Sequence, residues 1–217
     1  MTPLVTLVDG ALPRRRFERL RDAVVRLGDA GLRRTYQTTF WFDMNAKPSN
    51  LVEDAALHLR SLIPAREIAG VEWWLSRMRT SNVGVDFHVD RDNALFERTG
   101  RTTSPNVSSL LYLNRCRGGL LAVTRRRPNP RNPALAPDVH DFDLVEPKPN
   151  RFCFFDGRRT HGVLDANGHI PLRRLPREPE LRLAIAMNFW RTRPLGVPTF
   201  DQGGVYSLLA VPFRREV

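Results

Sequence analysis

Two ligand-type side chains lie two residues apart on a predicted strand. The segment from Val85 to Asp90 alternates between apolar and polar residues. Such alternation predicts a strand whose successive side chains point to opposite faces. Asp86, His88 and Asp90 then share one face, and His88 and Asp90 can direct an imidazole and a carboxylate at one point. These are two of the three ligands of a facial triad for non-haem Fe(II), so a third ligand is needed.

Four other histidines could supply the third ligand. His161 begins a predicted strand directly after a buried strand and a polar turn, so it can return to the interior opposite His88. His58 falls in a predicted helix, and His140 and His169 fall in predicted loops. A solvated or hydrogen-bonded role is the better interpretation for these three. His161 is therefore the best candidate.

A buried arginine is predicted on the last strand. Residues 181–190 have one wholly apolar face, while the opposite face carries Arg182, Ala184, Ala186 and Asn188. A guanidinium among alanines has space around it but requires an anion, because an unpaired buried charge is very costly. A carboxylate can satisfy it through two parallel hydrogen bonds. The partner is either a bound molecule or a protein acid such as Asp86.

The elements that position these residues are two helices followed by short strands. Apolar residues at helical spacing predict a helix over residues 13–28. A second helix begins at the N-cap Asn50, with Glu53 three residues on, and ends before Pro64. After Gly70 the pattern predicts strands at 71–80, 83–89, 107–113, 120–124, 142–145, 151–155, 160–164 and 181–190.

Regularly spaced short strands without intervening helices predict a mostly β chain with N-terminal helices and a jelly-roll core. We expect one domain over residues 1–217. Within it we expect a helical N-terminal support over 1–70, the core over 71–191 and a C-terminal extension over 192–217. Two long connections, 91–105 and 125–137, are predicted to be loops that cover the mouth of the barrel.

The chain is strongly basic, with a formal net charge of +11. A basic excess invites a nucleic-acid hypothesis. However, all but two of the 34 basic residues, Lys47 and Lys148, are arginine, a bias that GC-rich codon usage alone can produce. The arginine clusters also lack interleaved aromatic residues that would stack bases. We therefore expect a solvated basic surface, and strongly salt-dependent oligonucleotide binding would support the alternative.

The sequence indicates neither a membrane span nor a disulfide framework. No apolar run approaches the roughly 18 residues of a membrane-spanning helix. The N-terminal residues lack the basic region of a secretory signal, so we expect an intracellular, cytoplasmic protein without a membrane partner. Cys116 and Cys153 are too few for a disulfide framework and are predicted to be buried reduced thiols.

Taken together, these residues resemble the Fe(II)/2-oxoglutarate-dependent oxygenases, and most closely their prolyl-4-hydroxylase-like branch. His88-x-Asp90, His161 and Arg182 follow the family pattern in that order. The matching blocks are 86–90, 109–114 followed by Gly118-Gly119, 146–155 leading to His161, and 182–190. The resemblance covers residues 71–191 and implies a double-stranded β-helix core of the cupin type.

The resemblance implies roles for five residues. His88, Asp90 and His161 would bind Fe(II), Arg182 would bind the distal carboxylate of 2-oxoglutarate, and Tyr112 would donate its hydroxyl to that carboxylate. The implied enzyme is a hydroxylase that uses O2 and releases succinate and CO2. An amino-acid or peptidyl side chain is the expected substrate, and the tailoring of a small natural product is the alternative.

Substrate contacts are predicted less specifically. Asn188 and Trp190, near the end of the arginine strand, and Arg79 and Arg91 are candidates to meet the substrate or line the cavity. The loop arginines favour an anionic substrate, although exposed arginines without a partner are an equally good interpretation. The chain departs from the family pattern at Ala184, where many members have Ser or Thr, and in the 21 positions from the third ligand to the arginine.

Overall fold

The computed structural model describes residues 2–28, 31–32, 38–65, 67–79, 87–126, 142–168 and 181–203. Within these ranges the helices are α1 (Arg14–Arg26), α2 (Leu51–Arg60), α3 (Asn93–Thr99) and α4 (Phe200–Gly203). The strands are β1 (Val5–Asp9), β2 (Phe40–Asp43), β3 (Gly70–Arg79), β4 (Val107–Tyr112), β5 (Leu120–Thr124), β6 (Phe142–Val145), β7 (Arg151–Asp156), β8 (Thr160–Leu164) and β9 (Leu181–Trp190).

The strands form two antiparallel sheets. The larger sheet has the order β1-β7-β4-β9-β3-β2, and the smaller has the order β6-β5-β8. A bridge between His88 and His161 attaches the segment after residue 86 to the free edge of β8. Two facing antiparallel sheets with helices outside confirm the predicted mostly β, jelly-roll fold with N-terminal helices.

The two N-terminal helices cover the outer face of the larger sheet. Helix α1 buries an apolar stripe that includes Phe17 and Leu20. Helix α2 begins at Asn50, whose side-chain oxygen accepts hydrogen bonds from the backbone N–H groups of Val52 and Glu53. Both helices pack on the apolar faces of β3 and β9 in one continuous core. This packing fixes which face of each of these strands points away from the helices.

The alternation of β3 shows where the interior is accessible. Its residues Val71, Trp73 and Leu75 are buried against the helices. The intervening residues Glu72 and Trp74 point between the two sheets and are only half-buried. Part of this inner face is therefore exposed to solvent. We call the region bordered by the inner faces of β3, β4 and β9 the hollow.

Four described elements were not predicted. Strands β1 and β2 add the N-terminal segment to the larger sheet, so residues 1–70 contribute strands as well as helices. Helix α3 interrupts the connection over 91–105, and the prediction of an irregular loop there is wrong. The Asp92 side chain accepts a hydrogen bond from the N–H of Leu95 at the start of α3, and Gly100 ends it with a φ of 69°. Helix α4 follows β9.

Some predicted residues lie outside the described ranges, and the two cysteines differ in burial. Residues 80–86, which include Asp86, and residues 127–141, which include His140, lie outside the described residues, as does His169. Cys153 is a buried free thiol, whereas Cys116 is only half-buried, contrary to its prediction. Among the described helices, none combines the length and apolarity needed to cross a bilayer.

Candidate metal centre

Backbone pairing brings His88 and His161 together. The N–H of each residue donates to the carbonyl oxygen of the other, both at 2.9 Å. Their ring centroids are 4.4 Å apart. The His161 ring also packs edge-on against Phe155 of the opposite sheet, with centroids 5.0 Å apart. Both imidazoles therefore lie between the two sheets, as the sequence predicted for His161.

Asp90 completes a cluster of three ligand-type side chains. Its Oδ1 lies 3.4 Å from Nε2 of His88, and its Oδ2 lies 3.5 Å from Nε2 of His161. One candidate ligand atom from each residue lies within 4.8 Å of the others. Metal–ligand bonds of about 2.1 Å place neighbouring ligands of an octahedron about 3 Å apart. The two Asp90 distances are close to this value, and the three side chains would draw together to surround one ion.

Hydrogen bonds orient two of these side chains. The Nδ1 of His161 lies 3.1 Å from the carbonyl oxygen of Arg159, an arrangement in which Nδ1–H donates and Nε2 keeps its lone pair for a metal. The hydroxyl of Ser108 donates to Oδ2 of Asp90 at 2.7 Å. The side chain of His88 is 44 % exposed, against 12 % for His161. The cluster is therefore open to solvent on the His88 side.

The protonation states suit metal binding. Burial alone would raise the pKa of Asp90, but the charges of His161 and His88 and the hydrogen bonds from His88 and Ser108 outweigh it and lower that pKa. Burial lowers the pKa of His161, which favours the neutral imidazole. Metals bind the ionised carboxylate and the neutral imidazole. These two side chains therefore favour the forms in which they act as ligands.

Arg182 lies on the inner face of β9, as predicted. Its residue exposure is 1 %, and its guanidinium carbon lies 5.1 Å from the ring centroid of Tyr112. Its Nη1 donates to the hydroxyl of Ser76 at 3.4 Å. Burial raises the pKa of Tyr112, so the phenol keeps its proton and can act as a donor. The guanidinium and the phenol are thus adjacent, because Tyr112 pairs in register with Ala184, two residues from Arg182 on the same face of β9.

Gly119 provides the room that Arg182 occupies. Its φ is +65°, a conformation that favours glycine. A Cβ added at this position would lie 2.6 Å from Cδ of Arg182. Gly119 of the sequence pattern therefore has a packing role beside the arginine.

The remaining predicted substrate residues are divided between the interior and the surface. Asn188 and Trp190 are buried on the inner face of β9, and Nε1–H of Trp190 donates to Oε2 of Glu72 at 3.2 Å. Arg91 is exposed, and its guanidinium lies 3.9 Å from the ring centroid of Phe96 on α3. Arg91 is therefore stacked on a surface helix.

Two further predicted positions need separate mention. The side chain of Arg79 lies outside what the structure describes, although its backbone ends β3. His58 lies in α2, as predicted, and does not belong to the cluster of His88, Asp90 and His161.

Sequence reasoning missed two polar residues of the inner faces, Ser108 and Glu72. Ser108 lies in a largely apolar predicted strand, and only the hydrogen bond that it donates to Asp90 in the structure shows its function. Glu72 is the one acid of the predicted strand 71–80. Its position in the alternation, on the face opposite Val71 and Trp73, was a signal that it points into the barrel.

Comparisons with known proteins support the architecture. No protein-family model matches the sequence, and no curated protein matches it. Solved structures do match. A prolyl-4-hydroxylase from Pseudomonas putida is 20 % identical with a TM-score of 0.51, and the match covers 88 % of this chain and 90 % of that one.

Two further solved structures have the same extent of similarity. A Trichoplax adhaerens prolyl hydroxylase, in complex with a peptide of a hypoxia-inducible factor, is 15 % identical with a TM-score of 0.54, covering 88 % of this chain and 84 % of that one. HygX from Streptomyces hygroscopicus, with nickel and 2-oxoglutarate bound, is 18 % identical with a TM-score of 0.52, covering 92 % and 84 %. The chain therefore has the fold of the prolyl hydroxylases and HygX.

Proposed function

We propose that this chain is an Fe(II)- and 2-oxoglutarate-dependent dioxygenase that hydroxylates a C–H bond, with an amino-acid or peptidyl side chain as its substrate. The observation that carries the proposal is the convergence of His88, Asp90 and His161 beside a buried arginine. The fold shared with prolyl hydroxylases and HygX supports it. On this proposal residues 1–217 form a single oxygenase domain.

The donor set fits the proposed metal. Two imidazoles and one carboxylate on the same side of an ion form the facial triad of non-haem Fe(II) enzymes, which leaves positions for other ligands. Asp90 can remain charged because Ser108 donates to it, and the carbonyl of Arg159 can hold the tautomer of His161.

The chain's own residues would bind and orient the reactants. Fe(II), 2-oxoglutarate and O2, when bound, supply the oxidising chemistry, in which the 2-oxo acid is converted to succinate and CO2 and a hydroxyl group is added to the substrate. Arg182 would pair with the distal carboxylate of 2-oxoglutarate, and Tyr112 would donate to the same group. Apolar inner-face residues such as Val123 and Phe155 would exclude water around them.

A second candidate is the tailoring of a small natural product by the same chemistry. The specific observation in its favour is the similarity to HygX, which has been crystallised with nickel, 2-oxoglutarate and hygromycin B. The Trichoplax enzyme was crystallised with a peptide. Turnover assays with peptide and small-molecule panels distinguish the two candidates, because both share the metal centre and differ in the substrate oxidised.

The test of the proposed function is anaerobic addition of Fe(II), then 2-oxoglutarate, while the weak visible charge-transfer band of the chelate is recorded. His161→Ala should abolish the band, and His58→Ala, which alters a histidine outside the cluster, should keep it. Arg182→Ala should retain iron and require more 2-oxoglutarate. Iron binding without a band in the unaltered protein would refute the use of 2-oxoglutarate.

A further inference from the structure

One carboxyl group of the hollow has no part in the proposed metal centre. Glu72 lies on the inner face of β3 and pairs in register with Asn188 of β9. Asn188 pairs with Ser108 of β4, whose hydroxyl donates to Asp90. Adjacent strands are about 4.8 Å apart, so two strand spacings of about 10 Å separate the backbones of Glu72 and Ser108. Glu72 and Ser108, the residue that holds Asp90, therefore lie on the same inner face, two strands apart.

Two donors hold the Glu72 carboxyl group in place. Nε1–H of Trp190 donates to it, as does the hydroxyl of Thr39. A carboxylate can accept about four hydrogen bonds, so it has acceptor capacity left for a ligand. Trp74, two residues along the same face of β3, is half-buried like Glu72. One indole therefore contacts the carboxyl group, and another borders the same part of the hollow.

Among the residues that the structure describes, no cationic side chain forms an ion pair with Glu72. Burial raises its pKa to about 7, and the charges of Asp90 and Asp92 act in the same direction. Its two hydrogen-bond partners among the described residues, Trp190 and Thr39, are neutral. A cation placed in the hollow would therefore stabilise the ionised form of Glu72.

We propose that Glu72 binds an ammonium or guanidinium group of the substrate. The inference rests on the proposed function, because it assumes that the substrate enters the hollow beside the metal centre. A carboxylate forms charge-assisted hydrogen bonds with these groups, and indole faces attract cations. The substrate class is thus basic rather than anionic. The expectation of an anionic substrate came from loop arginines, and Arg91 is stacked on Phe96 at the surface.

The probes for the test are benzylammonium, benzyl alcohol and benzoate, which share one shape and differ in charge. The protein is loaded with Mn²⁺ and 2-oxoglutarate, and binding is followed by the paramagnetic relaxation of the probe protons. We expect benzylammonium to bind most tightly and to bind about tenfold more weakly to Glu72→Gln. Glu72→Gln keeps an oxygen for Trp190 and removes the charge. Glu97→Gln, which removes an exposed acid of α3, should leave the affinity unchanged.

The outcomes separate this inference from the proposed function. Equal benzylammonium affinities for the unaltered protein and Glu72→Gln, absence of benzylammonium binding, or a preference for benzoate would each overturn it. If Glu72→Gln does not fold, Glu72→Asp, which retains the charge, should keep the order of probe affinities, and its loss would overturn the inference. The Fe(II)–2-oxoglutarate band tests the proposed function separately. If the band is missing, the same probes titrated into the metal-free protein, with binding followed by calorimetry because no Mn²⁺ is present, still test Glu72.

Discussion

The hydroxyl of Ser108 donates to Oδ2 of Asp90 across 2.7 Å, from one sheet to a segment held on the other. Asp90 follows the short bridge between His88 and His161, and no strand of the described residues contains it. The Ser108 hydrogen bond is therefore what ties the carboxylate to the rigid larger sheet. A carboxylate held in this way is oriented before a metal arrives.

Ser108→Ala should weaken metal binding by about 10- to 100-fold, because the freed Asp90 carboxylate would have to be ordered on binding. Metal affinity measured by competition with a chelating dye checks this. Ser109→Ala is the matched control: the Ser109 hydroxyl donates to the carbonyl of Met187 instead. Its loss should cost about 1 kcal/mol of stability and leave metal affinity unchanged. Equal metal affinities in the two variants would contradict the role of Ser108.

Gly119→Ala should damage the binding of 2-oxoglutarate more than that of iron. The added methyl group would collide with Cδ of Arg182, whereas Gly100 has a similar positive φ and open space around it. Both variants share the backbone cost of about 1 kcal/mol, so Gly100→Ala controls for it. Titration of the visible chelate band should show a higher 2-oxoglutarate requirement for Gly119→Ala alone. If both variants titrate alike, Gly119 does not position Arg182.

The stability of the metal-free protein should depend on pH through Glu72. Its folded pKa of about 7 lies above its ordinary value of 4.5, so the folded state binds more protons between these values. The contribution of Glu72 to the free energy of unfolding is complete below pH 4.5 and is lost as the pH rises through 7. The neutral residue of Glu72→Gln avoids this loss.

Glu72→Gln should therefore gain about 1–3 kcal/mol of stability relative to the unaltered protein between pH 5 and pH 8. Urea unfolding of the two metal-free proteins at both values measures the difference. Glu97→Gln, at an exposed position on α3, should show no such trend. A constant difference between the unaltered protein and Glu72→Gln at the two pH values would show that Glu72 does not titrate in this range.

The side chain of Asp92 connects the start of α3 to the segment that follows β9. One carboxylate oxygen accepts from the N–H of Leu95 in α3, and the other accepts from the N–H of Leu195 after β9. Asp92→Ala should cost about 1–2 kcal/mol and speed hydrogen exchange at both amides. Asp92→Asn, which has a single acceptor oxygen, should deprotect one amide more than the other. Unchanged exchange at Leu195 would show that this link is not formed in solution.

The sequence predicted the strands whose alternation or apolar run was long enough to read. The faces of β9 were identified correctly because its ten residues alternate long enough to place the apolar positions on one face and Arg182, Ala184 and Asn188 on the other. Strand β1 was not predicted because it is an edge strand with Val5 as its only buried residue, which leaves little hydrophobic pattern. Helix α3 was not predicted because it has no buried residue. Its capping residues, Asp92 and Gly100, define it instead of an apolar face.

The candidate site was predictable to a different depth for each residue. Local alternation predicted that His88 and Asp90 share one face of a strand over 83–89, although its described part, residues 87–89, forms only a bridge at His88. Their proximity to His161 depends on pairing between segments more than 70 positions apart, and the resemblance to a family supplied it. Alternation places Glu72 on the inner face, but the neighbours of Glu72 and the role of Ser108 depend on register across β3, β9 and β4, which spacing does not give. The contact of Arg91 with Phe96 could not be predicted, because Phe96 lies in the unpredicted helix α3.

The pairing of β1 with β7 has a practical consequence for expression of this protein. Strand β7 reads Arg-Phe-Cys-Phe-Phe-Asp, and β1 occupies its outer side along five residue pairs. A variant that begins near Pro13 would leave this aromatic strand as an exposed edge with unpaired N–H and C=O groups. Such edge strands pair with other chains and aggregate. Insoluble protein from a truncated gene would thus result from the loss of β1 beside β7 and not from a defect in the hydrophobic core.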